Sequence, residues 1–294
     1  RPRKNTGGFV RMGNRVNDGQ AEMTVCLFQE DGKVLFIYKR PKIDSNDGWD
    51  AGGLKVVVNE ALHEVNTTYS GSVMVLTDPM AMLDPKAVYS SGETKTEKVK
   101  LSVDHTSCGA MFGYSADNYW DSLPPVEREE AQKKNKDKFA RNHFEQHMHI
   151  AGTLEIGDET ISLDGNGLRD HSWGPRYWQE TVSYRFINGA FGDDLGFGFT
   201  TSALGAGGNL QVGESMYAAV TDVDIATKYT NDDSGRAWPG VERPDTVHQN
   251  HQEFIMEVKA AKEGIVLKIK GTVVGFMPLR SRRNGQHTYI GEGM

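Results

Sequence analysis

The chain is divided into short β-prone runs separated by turn residues. Glycine accounts for 33 of its 294 residues. Segments rich in Val, Ile, Thr, Phe and Tyr alternate with clusters of Gly, Asn, Asp and Ser, and long amphipathic helices are nearly absent from the pattern. Many short strands with tight turns are typical of β-sandwiches and β-barrels. The sequence therefore predicts an all-β protein built from antiparallel sheets.

Two β-hairpins are the clearest local predictions. Residues 24–29 and 33–38 flank an Asp31-Gly32 pair, and Asp-Gly readily adopts the positive φ angles of a tight turn. Residues 253–259 and 265–274 flank a second turn, which ends at Gly264. In the latter run lysines alternate with apolar residues, which indicates one face exposed to water.

A charged segment divides the sequence into two parts. Residues 124–138 open with two prolines, place acidic residues first and basic residues last, and have almost no apolar face. We predict an N-terminal β domain at 1–125 and a C-terminal β domain at 143–294. A charged connector at 126–142, which can form a short helix, joins them. The alternative is a surface excursion within one domain.

Composition and motifs disfavour several classes of protein. The formal net charge is −7, and basic residues form only short runs such as Arg280–Arg283, so nucleic acid is not an expected partner. No apolar stretch approaches the roughly 18–20 residues of a membrane span. The N-terminus lacks an apolar signal core, which predicts a cytoplasmic protein, although removal of a leader stays open because the chain starts at Arg1. Nucleotide-binding and nucleophile-elbow motifs are also absent, and we expect no cofactor. The sequence leaves the oligomeric state open.

The densest group of chemically active residues lies between Arg169 and Trp178. It contains Asp170 and His171, two arginines and two tryptophans. An Asp beside a His can hold a proton near neutral pH, and indole rings exclude water and stabilise positive charge. In a regular strand, adjacent side chains point to opposite faces, so Asp170 and His171 enter one cavity only through a bulge or turn. The alternative is a structural cluster in which Arg and Asp pair and the indoles fill core.

A second group consists of Glu145, His147 and His149. In a strand that begins near Phe144, these three residues share one face. A carboxylate and two imidazoles can ligate a metal or form a wall of proton-transfer groups. The alternative is a polar face exposed to solvent, opposite an apolar core face.

The first of these motifs resembles a known family. The run Leu-Arg-Asp-His-Ser-Trp-Gly-Pro-Arg at 168–176 resembles the Asp-His-x-Trp-Gly signature of the AttH-like superfamily of two-domain lipocalin-like proteins. That group includes carotenoid (hydroxyneurosporene) hydratases, kievitone hydratase and fungal Diels–Alderase-type cyclases. The stretch Phe-Glu-Gln at 144–146 and the closing Tyr-Ile-Gly-Glu-Gly at 289–293 are also similar. The sequence departs from the carotenoid hydratases at Ser172 and in the added Pro175-Arg176.

The resemblance implies two lipocalin-like (calycin-type) β-barrel or sandwich domains and proton-driven chemistry on hydrophobic substrates. We therefore expect a cofactor-independent lyase or isomerase that catalyses hydration, dehydration, isomerisation or cyclisation of an isoprenoid-, steroid- or polyketide-like molecule. Asp170 and Glu145 are the expected acids, and His171 orients the acid or acts as base. The alternative is a non-catalytic carrier or sensor of hydrophobic ligands. The residues expected to contact substrate are Arg169, Trp173, Arg176, Trp178 and Tyr184.

Overall fold

The computed structural model describes residues 6–113, 124–127, 129–130, 140–176, 184–202, 205–222, 253–283 and 286–293. Strands dominate these residues, and all the strand pairs are antiparallel. The helical elements named in the described ranges are short: α1 (Pro85–Ser90) and two 3₁₀ turns at Val16–Asp18 and Pro79–Leu83. None of the described helices is long and apolar enough to cross a membrane. The predicted all-β, antiparallel fold class is confirmed.

Ten strands form the first sheet in the described part of the chain. Hydrogen bonds connect seven of them in the order β1-β2-β3-β6-β7-β9-β10, while β5 pairs with β4 and β6, and β8 pairs with β9. The strands are β1 (Gly7–Arg15), β2 (Gln20–Phe28), β3 (Val34–Lys39), β4 (Trp49–Ala51), β5 (Leu54–Glu60), β6 (Glu64–Leu76), β7 (Thr96–Ser107), β8 (Phe112–Gly113), β9 (Ala140–Ile156) and β10 (Glu159–Arg176).

Six strands form a second sheet in chain order, and two more pair as a separate ribbon, again counting the described residues alone. The pairs observed there form open sheets, so closure into lipocalin-like barrels stays a prediction. The sheet strands are β11 (Tyr184–Ala190), β12 (Leu195–Ser202), β13 (Gly205–Val212), β14 (Ser215–Asp222), β15 (Glu253–Ala260) and β16 (Ile265–Thr272), and the ribbon strands are β17 (Phe276–Arg283) and β18 (Gln286–Gly293).

Both predicted hairpins are present. Strands β2 and β3 pair up to Phe28 and Val34, and Gly32 in their turn has φ 82°. Strands β15 and β16 pair up to Ala260 and Ile265, and the turn contains Gly264 with φ 70°. A positive φ favours glycine because it lacks a Cβ. Local turn chemistry was therefore sufficient to predict these two elements.

The first sheet crosses the predicted domain boundary. Strand β9 pairs with β7 from Val99 and Ile156 to Ser107 and Met148, so the hairpin β9–β10 extends the N-terminal sheet past residue 143. The division of the chain into two domains stays a prediction. Buried apolar side chains explain this pairing, because Leu101 on β7 belongs to the same core cluster as residues of β9 and β10. Much of the predicted connector at 126–142 lies outside the described residues.

The Gly-rich segment at 164–167, whose composition is typical of a turn, is part of strand β10. The residues pair with β9 throughout, with Asp164 opposite Ala151 and Gly167 opposite Met148. A Cβ on Gly167 would collide with the side chain of Ile150. Glycine at 167 thus allows close packing on a long strand, and cross-strand pairing overrides its local turn preference.

The second sheet covers the polar face of β9. In the Gly-Phe-Gly-Phe run of β12, Phe197 and Phe199 enter the core of their own sheet. Gly196 and Gly198 face β9: an added Cβ would lie 2.7 Å from the imidazole of His147 and 2.9 Å from Oε2 of Glu145, respectively. The absence of side chains at these glycines lets two sheets enclose polar groups.

Candidate functional site

Strands β9 and β10 place Asp170 and His171 on opposite faces of the sheet. The register is continuous from Glu159 to Trp173, with Asp170 opposite Glu145 and His171 opposite Phe144. The irregularity in this pair of strands comes later, between Trp173 and Arg176. Because side chains alternate between faces, the expected cooperation of Asp170 with His171 is not supported by the geometry.

On one face, Asp170 meets His143 and Glu145. The Nε2 atom of His143 lies 3.2 Å from Oδ2 of Asp170 and 3.6 Å from Oε1 of Glu145. One ligand-type atom from each of the three residues lies within 4.8 Å of the others. Two carboxyl groups and an imidazole at this spacing are close enough to share one cation, which can be a proton or a metal ion.

Glu145 is the buried member of this group. The residue is only 7% exposed, and Nδ2 of Asn209 donates a hydrogen bond of 2.9 Å to its Oε2. Burial raises the pKa of Glu145 to about 7, and the nearby charge of Asp170 adds to the rise, whereas His143 and the hydrogen bond from Asn209 oppose it. This carboxyl group therefore exchanges its proton near neutral pH.

His147 and Asn209 form a second polar layer behind Glu145. Both are buried, with 3% and 1% of their surfaces exposed. Nε2 of His147 lies 3.1 Å from Oδ1 of Asn209. Burial lowers the pKa of His147, which favours a neutral ring at pH 7, although the hydrogen bond to Asn209 opposes this effect. The layer connects β9 of the first sheet to β13 of the second.

The three residues considered as metal ligands, Glu145, His147 and His149, do not converge on one point. His149 instead contacts Asp193, with 3.1 Å between Nδ1 and Oδ1, and the imidazole of His147 is hydrogen-bonded to Asn209. A strand rises about 3.3 Å per residue, so residues four positions apart are about 13 Å apart, too far to bind one ion. The solvent-face alternative is wrong for Glu145 and His147, since the second sheet buries both.

A cleft of about 450 Å³ lies beside His149. It contains Cys108, whose pKa is raised to about 11, mainly by burial and further by Asp193. The thiol is therefore protonated at neutral pH and a poor nucleophile. The lining residues are Thr106, Ser107, Cys108, His149, Asp193, Asp194, Gly213 and Glu214.

The opposite face of the motif is aromatic. The ring centroid of His171 lies 5.6 Å from that of Trp49 and 5.2 Å from those of Phe144 and Trp173. Burial lowers the pKa of His171, and the charge of Arg169 lowers it further. A neutral imidazole among three aromatic rings contributes to their packing, and the role of His171 as a base or as an orienting group stays a prediction. The contact of Trp49 with His171 also shows that the N-terminal part of the chain packs against this face of β10.

The predicted substrate-contacting residues lie in different settings. The guanidinium carbon of Arg169 lies 5.0 Å from the ring centroid of Phe144, and its Nη1 is buried with no hydrogen-bond partner among the described residues. Trp173 is 43% exposed. The structure describes Arg176 and Tyr184 by their backbone alone, and Trp178 lies outside the described residues. The proposed roles of these residues stay predictions.

Two residues of the site, His143 and Asn209, are missing from the prediction made from the sequence. His143 continues the alternation of Glu145, His147 and His149 by one step, so the period of two contains a signal for it. Asn209 is 64 residues from Glu145 and lies in a Gly-rich run that carries no such signal. Only the packing of the two sheets brings it to the carboxyl group.

Comparison with known proteins places the chain in a family without connecting it to an activity. No curated protein matches it, and no solved structure does. The resemblance to the AttH-like superfamily is not tested by these comparisons and stays a prediction. The family model for DUF7064, a domain of unknown function, matches residues 1–294, and the chain therefore belongs to the DUF7064 family.

Proposed function

We propose that the protein is a cofactor-independent lyase or isomerase in which Glu145 donates a proton to an uncharged small molecule. The observation that carries the proposal is the buried carboxyl group of Glu145, whose Oε1 lies 3.6 Å from Nε2 of His143. A general acid works best when its pKa is near the working pH, and burial raises the pKa of Glu145 to about 7.

Asp170 and His143 provide a path between this acid and water. The side chain of Asp170 is 46% exposed, that of His143 19%, and that of Glu145 9%. His143 thus lies between an exposed and a buried carboxyl group. Asp170 stabilises the positive charge that a neutral His143 gains when it takes up a proton from the substrate, and His143 can then return that proton to Glu145.

The proposed chemical step begins with a proton transfer from Glu145 in both dehydration and isomerisation. In dehydration, the proton of Glu145 moves to the substrate hydroxyl oxygen and the C–O bond breaks, which releases water and leaves a carbocation. Loss of a proton from the adjacent carbon to His143 then forms the alkene. In isomerisation, Glu145 protonates one alkene carbon and His143 removes a proton from another. Asp170 stabilises the cationic intermediate by its negative charge.

The charge of the site limits the substrate. The negative charge of Asp170 beside the protonated Glu145 repels an anion, which favours a neutral substrate that develops positive charge during the reaction. The resemblance to the AttH-like superfamily supports an isoprenoid-, steroid- or polyketide-like molecule.

Solvent isotope exchange can test this activity before the natural substrate is known. The protein is incubated in D₂O with a panel of terpenoid, steroid and polyketide alkenes and alcohols, and mass spectrometry detects gain of deuterium or gain or loss of water. Glu145→Gln should abolish the reaction because the amide cannot donate an acidic proton. Glu155→Gln is the matched control, since Glu155 is on the same strand but pairs with Lys100 at the surface.

Conversion that survives in Glu145→Gln would refute the role of this acid. A metal ion shared by His143, Glu145 and Asp170 is the competing explanation for the cluster. Elemental analysis of protein purified without chelators, together with an excess of EDTA in the activity assay, distinguishes the two. Stoichiometric metal, or loss of conversion in EDTA, would replace proton transfer with metal-assisted chemistry.

The aromatic face supports a second candidate function. Arg169 has a buried Nη1 without a partner among the described residues, beside the ring of Phe144. A guanidinium beside an aromatic ring suits the oxygen atom of a bound hydrophobic ligand, as expected for a carrier or sensor. Ligand binding without turnover, lost in Arg169→Met and unaffected by Glu145→Gln, would favour this function.

A further inference from the structure

One side chain of the second sheet, that of Asn209 on β13, joins Glu145 and His147 of β9 to that sheet. Asn209 bridges Glu145 and His147, with distances of 2.9 Å from Nδ2 to Oε2 of Glu145 and 3.1 Å from Oδ1 to Nε2 of His147. All three residues are buried. Because buried polar groups are costly when left unpaired, each of these bonds restricts the orientation of the next group.

The direction of the bonds follows from the donors and acceptors. An amide donates through Nδ2 and accepts through Oδ1, so an Asn209 that donates to Glu145 presents Oδ1 to His147. Nε2 of His147 must then carry a hydrogen. Oε2 of Glu145 is engaged as an acceptor, and Oε1 faces Nε2 of His143 at 3.6 Å.

We propose that His147 and Asn209 are positioning residues that fix the acidic proton of Glu145 on Oε1, the oxygen that faces His143. The inference rests on the proposed function, because it concerns the proton that Glu145 donates. The two hydrogen bonds from His147 to Asn209 and from Asn209 to Glu145 are here called the relay. Without the relay the carboxyl group can rotate or bind its proton on Oε2, on the side away from His143 and Asp170. The relay thus determines the direction in which the acid acts.

The packing around the relay leaves space for its side chains and adds no charge from the second sheet. Gly196 and Gly198 leave space for the imidazole of His147 and the carboxyl group of Glu145. Among the described residues, the ionisable groups that influence Glu145 are His143 on its own strand and Asp170 on β10. Strands β12 and β13 contribute Gly198 and Asn209, which carry no charge. The second sheet therefore orients the acid by hydrogen bonding.

The tautomer of His147 tests the direction of the relay. ¹⁵N NMR of protein labelled in its imidazole rings, with His147→Gln to assign the signal, reports which ring nitrogen carries hydrogen. The proposal requires hydrogen on Nε2 of a neutral ring. Hydrogen on Nδ1 alone would mean that Asn209 is reversed and that its Oδ1 accepts a hydrogen bond from a protonated Oε2 of Glu145, which overturns the proposal.

A second test follows the pKa of Glu145 by ¹³C NMR of labelled carboxyl groups, with Glu145→Gln to assign the signal. Asn209→Leu removes a hydrogen bond to the charged carboxylate and should raise this pKa by about one unit, a tenfold gain in proton affinity. His147→Leu frees the amide of Asn209 to turn and should raise it less. His147→Gln retains a donor to Oδ1 and should restore the wild-type value.

Equal pKa values for Glu145 in His147→Leu and His147→Gln would overturn the relay, as would an unchanged value in Asn209→Leu. If Asn209→Leu does not fold, the two His147 variants and the wild-type tautomer still decide the outcome. No substrate is needed for these measurements. A confirmed relay combined with full turnover in Glu145→Gln would therefore refute the proposed function while leaving this inference intact.

Discussion

Asp170 lies directly opposite Glu145 on the antiparallel strands β9 and β10. Like charges in directly opposed positions destabilise a sheet, so both carboxyl groups are ionised together only at a cost. Nε2 of His143 lies within 3.6 Å of an oxygen of each. Because Asp170 is exposed and Glu145 is buried, the proton belongs on Glu145.

The stability of the protein should depend on the ionisation of Glu145. Its pKa is about 7 when folded against an ordinary value of 4.5, so the folded state binds more protons between these values. The stabilisation from protonated Glu145 is fully present below pH 4.5 and is lost as pH rises through 7. Relative to Glu145→Gln, wild type should lose about 3 kcal/mol across this range. Urea unfolding of both proteins at several pH values measures the difference, and parallel curves would contradict the prediction.

Neighbouring charges should shift the pKa of Glu145 in opposite directions. His143→Gln removes a positive charge and should raise this pKa, whereas Asp170→Asn removes a negative charge and should lower it. Carboxyl ¹³C NMR titration measures both shifts. Glu155→Gln, at the surface of β9, serves as the control and should leave the titration of Glu145 unchanged. Shifts of the same sign in the two site variants would show that the three groups do not interact as described.

Gly198→Ala should disturb the site from the second sheet. The added Cβ would lie 2.9 Å from Oε2 of Glu145 and 3.0 Å from Nδ2 of Asn209, and the two groups have little room to move. We expect a loss of about 1–3 kcal/mol in the free energy of unfolding. Gly207→Ala is the matched control, since its Cβ would meet nothing within 4 Å, and it should change stability by less than about 0.5 kcal/mol. Equal thermal stability of the two variants would argue against the close packing of the sheets.

Alanine substitutions of Asp170 and His171 should change the stability of the protein by different amounts. His171→Ala removes a ring packed among Trp49, Phe144 and Trp173, and should cost about 1–3 kcal/mol. Asp170→Ala removes an exposed side chain that repels Glu145, and should change stability by less than about 0.5 kcal/mol. Thermal unfolding compares the variants. A large loss in Asp170→Ala would instead identify Asp170 as structural.

Residues 143–294 expressed alone should be poorly soluble. Such a fragment contains most of β9 but lacks β7, which pairs with it from Val99 to Ser107. The missing strand leaves an open sheet edge, and without Leu101 and Val103 the apolar core around Leu154 is exposed. Light scattering of the purified fragment measures aggregation. A soluble fragment with the wild-type titration of Glu145 would show that β7 is not required.

Several features followed from the sequence because they depend on neighbours in the chain. The Asp31-Gly32 turn predicted the β2–β3 hairpin, since local backbone preference is sufficient to form a tight turn. The period of two placed Glu145, His147 and His149 on one face of β9. The same period limited Asp170 and His171 to opposite faces unless a bulge intervened. The composition of the Gly-rich run at 164–167 is typical of a turn, but the run is part of a paired strand in which Gly167 packs closely against Ile150 of β9.

What the sequence determined by itself is the all-β class, the hairpins and the polar alternation along β9, all of which arise from local preferences. Only the tertiary structure placed Asp170 opposite Glu145, because cross-strand register depends on pairing between distant segments. It alone brought Asn209 across 64 residues to Glu145. Burial between two sheets raises the pKa of Glu145, and no local pattern encodes burial of this kind, since desolvation is produced by contacts between strands far apart in the chain.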